Sequence, residues 1–272
     1  MSDIVTLTLR APLERTVEAE AITPDRFQAL GEREIAELPV WEGARQLRLG
    51  ELFDVRGDRA ARVRVVGDCS RIDALGAGMS TGELVIEGRA GRYAGTRMTG
   101  GTVHVAGDAG DGAGLEMAGG VLRIDGDAGD RVGGARLGAS KGMLGGEIVV
   151  RGAVGAEAGS RMRRGLIVCA RAGARAGEAM IAGSIIALGD VGEDPGRYNK
   201  RGSIVVLGAV SVPAGYAYDC TYEPPHVALT LRMLRARFGV AVENGGERGR
   251  YRRYSGDMSE LGRGELLVRE GA

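Results

Sequence analysis

Two adjacent basic pairs, Arg163-Arg164 and Lys200-Arg201, stand 37 residues apart in this 272-residue chain, with Arg161, Arg171 and Arg175 close by in sequence. Guanidinium groups hold carboxylates through paired, parallel hydrogen bonds. The chemistry of such a cluster would be recognition of a polycarboxylate or of an acidic partner; a solvated face is the plainer alternative. The other reactive side chains are sparse. His104 and His226 are the two histidines, and neither has a carboxylate or thiol at an informative spacing. They read as a surface residue and a helix-start residue. Cys69, Cys169 and Cys220 are odd in number and far apart, which gives no disulfide framework and no zinc pattern. Asp108 and Asp127 each follow a glycine, and read as turn-stabilising aspartates rather than a shared cation site. The run Gly110-Asp111-Gly112-Ala113-Gly114 lacks the following helix that a phosphate loop uses. No catalytic set and no metal site emerges.

The elements that must position these residues come from a repeat. Copies of one motif open at Gly82, Gly101, Gly120, Gly146, Gly165, Gly183 and Gly202, at intervals of 19, 19, 26, 19, 18 and 19. The residues two and four after each glycine are mostly aliphatic, as in Leu84 and Ile86 or Val103 and Val105, with Cys169 and Ala187 as variants. Residues two apart on a strand share a face, so both columns are expected to point inward. Val63-Arg64-Val65 offers a less regular coil before the first copy. Further glycines mark corners. Met98, Met117, Met143, Met162 and Met180 form a third column, read as core filling rather than as thioether ligands for copper. One alternating segment per coil, without a six-residue period, predicts a mainly β fold: a right-handed parallel β-helix solenoid of about seven to eight coils. At ~4.8 Å per coil its length is roughly 35 Å. The interval of 26 holds a seven-residue insertion within Gly133 to Lys141.

The flanks lack the period. Residues 1–60 read as an N-terminal cap segment. Val5, Leu7 and Leu9 form one strand, Val17 to Glu20 a second, and Thr23-Pro24-Asp25 opens a short helix to about Leu30. Residues 61–215 are the glycine-rich β-helix, and residues 216–272 a C-terminal helix with an extended docking tail. That helix runs from about His226 to Phe238, with Val227, Leu231, Leu234 and Phe238 on one stripe. The outward position three after each glycine carries Val149, Val168, Ile186 and Val205 in later coils but His104 and Arg123 in earlier ones. The helix or a partner is expected to cover that apolar strip. Beyond Gly245 the tail is rich in Arg and Gly and carries Leu266-Leu267-Val268.

Composition narrows the classes. Glycine, 48 of 272 residues, lies well above the usual ~7%, yet the chain has neither the glycine period nor the proline of collagen. Apolar residues at 44% in regular places argue against disorder. Zero formal net charge argues against a nucleic-acid binder. There is no 18-residue apolar run and no leader pattern, so no membrane partner and a cytoplasmic location are expected.

The repeat Gly-x-h-x-h-x-Gly, with h aliphatic, resembles the C-terminal β-helix of the large glutamate synthase subunit. With Thr23-Pro24-Asp25 and Leu38-Pro39-Val40-Trp41 before it and Tyr216 to Phe238 after it, most of the chain is similar to the C subunit of formylmethanofuran dehydrogenase and of the related bacterial formyltransferase/hydrolase complex. The resemblance implies a non-catalytic scaffold whose partners process formyl groups on a methanofuran- or methylofuran-type cofactor. The implied partners are hydrolase-like, molybdopterin-domain-like and formyltransferase subunits. Tetrahydromethanopterin is the implied second carrier, and no cofactor is bound by this chain alone. Furan cofactors of this type carry glutamate chains, which gives Arg163, Arg164, Lys200 and Arg201 an implied ligand. The hydrolytic complex that produces formate is the favoured setting, and a molybdenum or tungsten dehydrogenase the alternative. A self-assembling β-helix structural protein remains a reading of another class, disfavoured by the long flanks. A carbohydrate-active enzyme is disfavoured by the three Phe and one Trp.

Overall fold

The computed structural model describes residues 4–242 and 246–271; the boundaries set at residues 1, 245 and 272 lie outside them. Each alternating segment of the repeat forms a short strand, and successive strands pair in parallel with their repeat positions in register. Leu84 pairs with Val103, Val103 with Leu122, Leu122 with Ile148, Ile148 with Ile167, Ile167 with Ile185, and Ile185 with Ile204. Val63 pairs with Leu84, so the expected irregular first coil joins the same ladder. Both inward columns are buried along their length, including Cys169 and Ala187. The result is a mainly β fold dominated by one 13-stranded sheet, most of it parallel.

Two more columns line the interior. Cys69, Ala90, Ala109, Ala128 and Val154 are joined by parallel bridges at one corner, the last four each eight residues after an opening glycine, and Ala172, seven after Gly165, and Val191 are bridged in the same way further on. The methionine column is fully buried and begins one coil earlier than expected, at Met79. In the coil after Met180 its place is taken by Asn199, also buried, whose side chain receives a hydrogen bond from Gly202 N (2.8 Å) and donates one to Gly202 O (2.9 Å). A buried amide is tolerated there because the turn satisfies it.

The flanks extend this sheet. Val5–Leu9 pairs in parallel with Arg62–Val66, and Phe53–Arg56 then runs antiparallel to it as the edge. The second expected strand is confined to Val17–Glu18, beside Ile72–Asp73. The first helix is shorter than expected, Pro24–Phe27, and a second, Glu32–Ala36, follows Gly31. Thr23 makes no side-chain cap; the Asp25 carboxylate instead accepts the Ser80 backbone N–H at 3.1 Å, tying the flank to the repeat.

At the other end the tail joins the main sheet. It supplies the strand Gly264–Arg269, which pairs in parallel with Ser203–Val206. Leu266 continues the column of Ile204, and Val268 that of Val206. The cause is local: Gly264, Leu266 and Val268 repeat the Gly-x-h-x-h spacing, so the tail has the same face to bury. Tyr251–Gly256 and Ala217–Tyr222 complete the edge as antiparallel strands.

The C-terminal helix, Pro225–Phe238, ends at Gly239 in the left-handed conformation that glycine adopts most easily. It lies on the predicted strip. Val149, Val168, Ile186 and Val205 form one buried cluster with Val227, Leu231, Leu234 and Phe238. Burial of each such side chain contributes about 1.5–3 kcal/mol, which is why the strip is apolar in each coil that the helix covers.

Candidate functional site

The basic pairs fall where the chain enters the main strand of its coil. The backbone N–H of Arg163 bonds Met143 O, that of Ile181 bonds Met162 O, and that of Lys200 bonds Met180 O, each at 2.7–2.8 Å. Arg163 and Lys200 therefore occupy one row, two rungs apart, and Arg164 and Arg201 follow them. All four are exposed. Lys200 Nζ lies 3.6 Å from Glu260. Arg163, Arg164 and Arg201 have no ion pair among the described residues. Of the neighbouring arginines, Arg161 sits on the adjoining corner. Arg175 is engaged by Glu157 and, at 3.5 Å, by Glu178. Arg171 is not part of the edge: it follows the strand Leu166–Cys169, while Arg164 precedes it. Sequence proximity suggests the grouping, and the strand between them separates it.

The insertion is a loop with a closed base, since Met143 N bonds Gly133 O (3.0 Å) and Gly142 N bonds Arg161 O (2.8 Å). It projects Leu137 into solvent with 89% of its surface exposed. An open hollow of about 260 Å³ at the base of the loop is lined by Leu137, Arg161, Glu178, Ala179 and Tyr198 among others.

His104 is the main site residue that the sequence conceals, since it stands there as a surface residue with no carboxylate at an informative spacing. In the fold its Nε2 lies 2.7 Å from Asp125 Oδ2, part-buried on the outer face. Arg123 Nε donates to Asp125 Oδ1 at 2.9 Å, and Arg151 Nε lies 3.3 Å from the same oxygen. Burial acts to raise the Asp125 pKa, but the hydrogen bonds from His104 and Arg123 outweigh it and hold the carboxyl below its ordinary value. The contact spans 21 residues and exists because the next rung places Asp125 beside His104; the usable signal was one repeat length plus two. Arg151 also donates to Phe238 O at 3.3 Å, so the cluster fastens the helix C-terminus. A histidine–carboxylate pair resembles part of a catalytic triad, but among the described residues no hydroxyl or thiol hydrogen-bonds His104. The arrangement is a clamp.

The remaining candidates take structural places. Cys69 and Cys169 are buried, and burial pushes both thiols up to about 12, far from a nucleophile's range. Cys220 is exposed on an edge strand. The aspartates at the corners are acceptors between coils. Asp108 Oδ1 accepts Asp127 N (2.9 Å), and Asp127 Oδ1 accepts Ala153 N (2.7 Å). Asp111 and Asp130 do the same one turn further on. Among the described residues no three His, Cys, Asp or Glu side chains are grouped to hold a metal ion. Nor is any described helix long and apolar enough to cross a membrane.

Fold and site together define a glycine-rich repeat protein built on one long, mostly parallel sheet, with a basic edge, a projecting loop and a helix-covered outer strip. The chain is 44% identical over 97% of its length, and 98% of the relative's, to the C subunit of the formyltransferase/hydrolase complex Fhc of Methylorubrum extorquens. It therefore belongs to the family of these C subunits. A chain of the crystal structure of the formyltransferase/hydrolase complex FhcABCD from the same organism, in complex with methylofuran, superposes with a TM-score of 0.91 at 38% identity, covering 97% of this chain and 98% of that one. The C subunit of the molybdenum-containing formylmethanofuran dehydrogenase 1 of Methanosarcina barkeri is 37% identical over 98 residues, 34% of this chain and 32% of that protein. Its counterpart in Methanothermobacter thermautotrophicus is 37% identical over 91 residues, only 23% of that protein. The chain thus spans a third or less of these two dehydrogenase subunits. No protein-family model matches the chain.

Proposed function

We propose that this chain is a non-catalytic scaffold subunit of a cytoplasmic formyltransferase/hydrolase complex that releases formate from a furan-type formyl carrier. The end-to-end match to the Fhc C subunit, in sequence and in backbone, carries this reading. Against the dehydrogenase alternative stands coverage: the dehydrogenase subunits match over about a third of this chain. We infer a right-handed parallel β-helix over residues 61–215, supported by the in-register ladder and the second bridged column, with residues 1–60 as a cap and 216–272 as helix and tail. Hydrolase-like, molybdopterin-domain-like and formyltransferase chains are the proposed partners. Methylofuran and tetrahydromethanopterin serve the complex.

The basic edge fits a polycarboxylate such as a glutamate chain on the furan cofactor. Arg163, Arg164 and Arg201 are exposed and lack ion pairs among the described residues, which suits bidentate carboxylate contacts. Lys200 is a weaker contact because Glu260 partly occupies it. The cofactor would supply the formyl-carrying group; this chain's residues would hold its tail. Charge reversal at Arg163, Arg164, Lys200 and Arg201 is expected to reduce turnover with the long cofactor more than with a truncated one, and equal effects would overturn the assignment.

Purification of the chain from its own cells, with identification of co-eluting polypeptides, tests the function. Transferase- and hydrolase-like subunits are expected in fixed stoichiometry. A lone monomer refutes the scaffold reading, and a self-polymer favours the structural-protein alternative.

A further inference from the structure

Exposed apolar side chains are not scattered evenly over this molecule. Five of them fall on a single face, around the insertion and the end of the repeat. Leu137 is 89% exposed, and Leu144, Tyr198, Met258 and Leu261 lie between 40% and 62%. Their proximity follows from the backbone. Leu144 stands in the row that continues through Arg163 and Ile181 to Lys200. Leu137 and Tyr198 line the same hollow. Tyr198 N donates to Asp257 Oδ2 at 2.9 Å, and Lys200 reaches Glu260 at 3.6 Å, which brings the turn carrying Met258 and Leu261 against that row. The Arg197 guanidinium stacks on the Tyr198 ring at 4.9 Å and holds it in place.

We propose that this face is a protein-docking surface, and that its occupant is another subunit of the complex, with apolar sockets rimmed by carboxylates. The inference rests on the scaffold reading above and names the surface that reading requires. Large exposed apolar patches on a soluble chain mark interaction sites. Arginine and aromatic residues are enriched at interfaces, where the core is apolar and the rim charged. Arg161, which has no ion pair among the described residues, adds the charge that selects a carboxylate-rimmed partner, while Glu157 and Glu178 are both engaged by Arg175. A flexible polyanion held by Arg163, Arg164 and Arg201 would leave Leu137, Met258 and Leu261 in water, so the apolar half of the face is left to a protein partner. The insertion that carries Leu137 is pinned at its base, so the side chain is presented without a large ordering cost.

The test uses this chain co-expressed with the other subunits of its own complex. A photo-crosslinking amino acid placed at position 137 is expected to give an adduct with one other subunit. The double variant L137D/M258D is expected to recover that subunit at least tenfold less well, with circular dichroism and melting temperature unchanged. Both residues are exposed, so folding is not at stake; the milder L137A is expected to give a smaller loss in the same direction. Full retention of every subunit by L137D/M258D overturns the inference, as does an adduct with a second copy of this chain. A wild-type chain that retains no subunit overturns both this inference and the scaffold reading. A wild-type complex left intact by the variants overturns this inference alone.

Discussion

At Gly126 a Cβ would lie 2.2 Å from Asp108 Oδ1 and 2.8 Å from the backbone of Gly107 and Asp108. The glycine is there to admit a neighbouring coil's carboxylate, which accepts the next backbone N–H at 2.9 Å. Gly126→Ala is expected to cost about 1–3 kcal/mol through over-packing and about 1 kcal/mol more through the strained hydrogen bond. Denaturant unfolding measures both. Gly138 is the control. Its φ is +83°, and nothing lies within 4 Å of a Cβ there, so alanine costs about 1–2 kcal/mol of backbone strain alone. Equal losses at the two sites would refute the steric account. Gly126 was visible in the sequence as a corner and Gly138 as part of the insertion, but which of them makes room for a neighbour was not, because that depends on what the adjacent rung contributes. Two carboxyls contribute to the acid limit. The Asp125 pKa is lowered by His104 and Arg123, and that of Asp257 by the Ser259 and Tyr198 backbone N–H groups, in each case against the raising effect of burial. A carboxyl with a lowered folded pKa adds stability above the unfolded value of about 3.9 and loses it as pH falls through the folded value. Stability is therefore expected to fall as pH drops below about 4, and Asp125→Asn should flatten that fall in a urea titration across pH 3–6.

The C-terminal helix is held by a strip that contributes nothing to the interior of the coils. Leu231 is fully buried and Val168 nearly so. Leu231→Ala is expected to cost about 2–5 kcal/mol, and Val168→Glu about 3–5 kcal/mol by placing an uncompensated charge under the helix. A Val168→Glu variant with an unchanged melting temperature would mean that the helix lifts away freely. Strip and helix were both legible in the sequence, because the third position after the glycine turns apolar in the same coils that the helix stripe can reach. The strand Gly264–Arg269 was not. It repeats the motif, but 62 residues after Gly202 and behind the helix, where no period points to it. The clamp at His104 escaped for a related reason: Asp125 is its neighbour only through register. Residues whose partner lies one repeat away are hidden until the register is known, whereas columns reveal themselves by recurrence.

Each strand of the main sheet pairs only with the strands beside it, so the sheet is vulnerable at its two edges. Both ends are closed by chain from outside the repeat, Val5–Leu9 with Phe53–Arg56 at one and the last three strands at the other. Removing residues 264–271 would leave Ser203–Val206 as a bare parallel edge and uncover Ile204 and Val206, which are buried in the complete chain. Unpaired edges of this kind template association. The truncated chain is expected to self-associate, read by light scattering at micromolar concentration. Hydrogen exchange should localise the damage: protection is lost at Ser203–Val206 and weakened at Ser184–Ala187, while Leu84 and Val103, outside the helix-covered cluster that Leu267 joins, exchange as in the full chain. A truncated chain that stays monomeric, or one that loses protection uniformly from end to end, would show that the rungs fold as one cooperative block and that the flanks do more than close the edges.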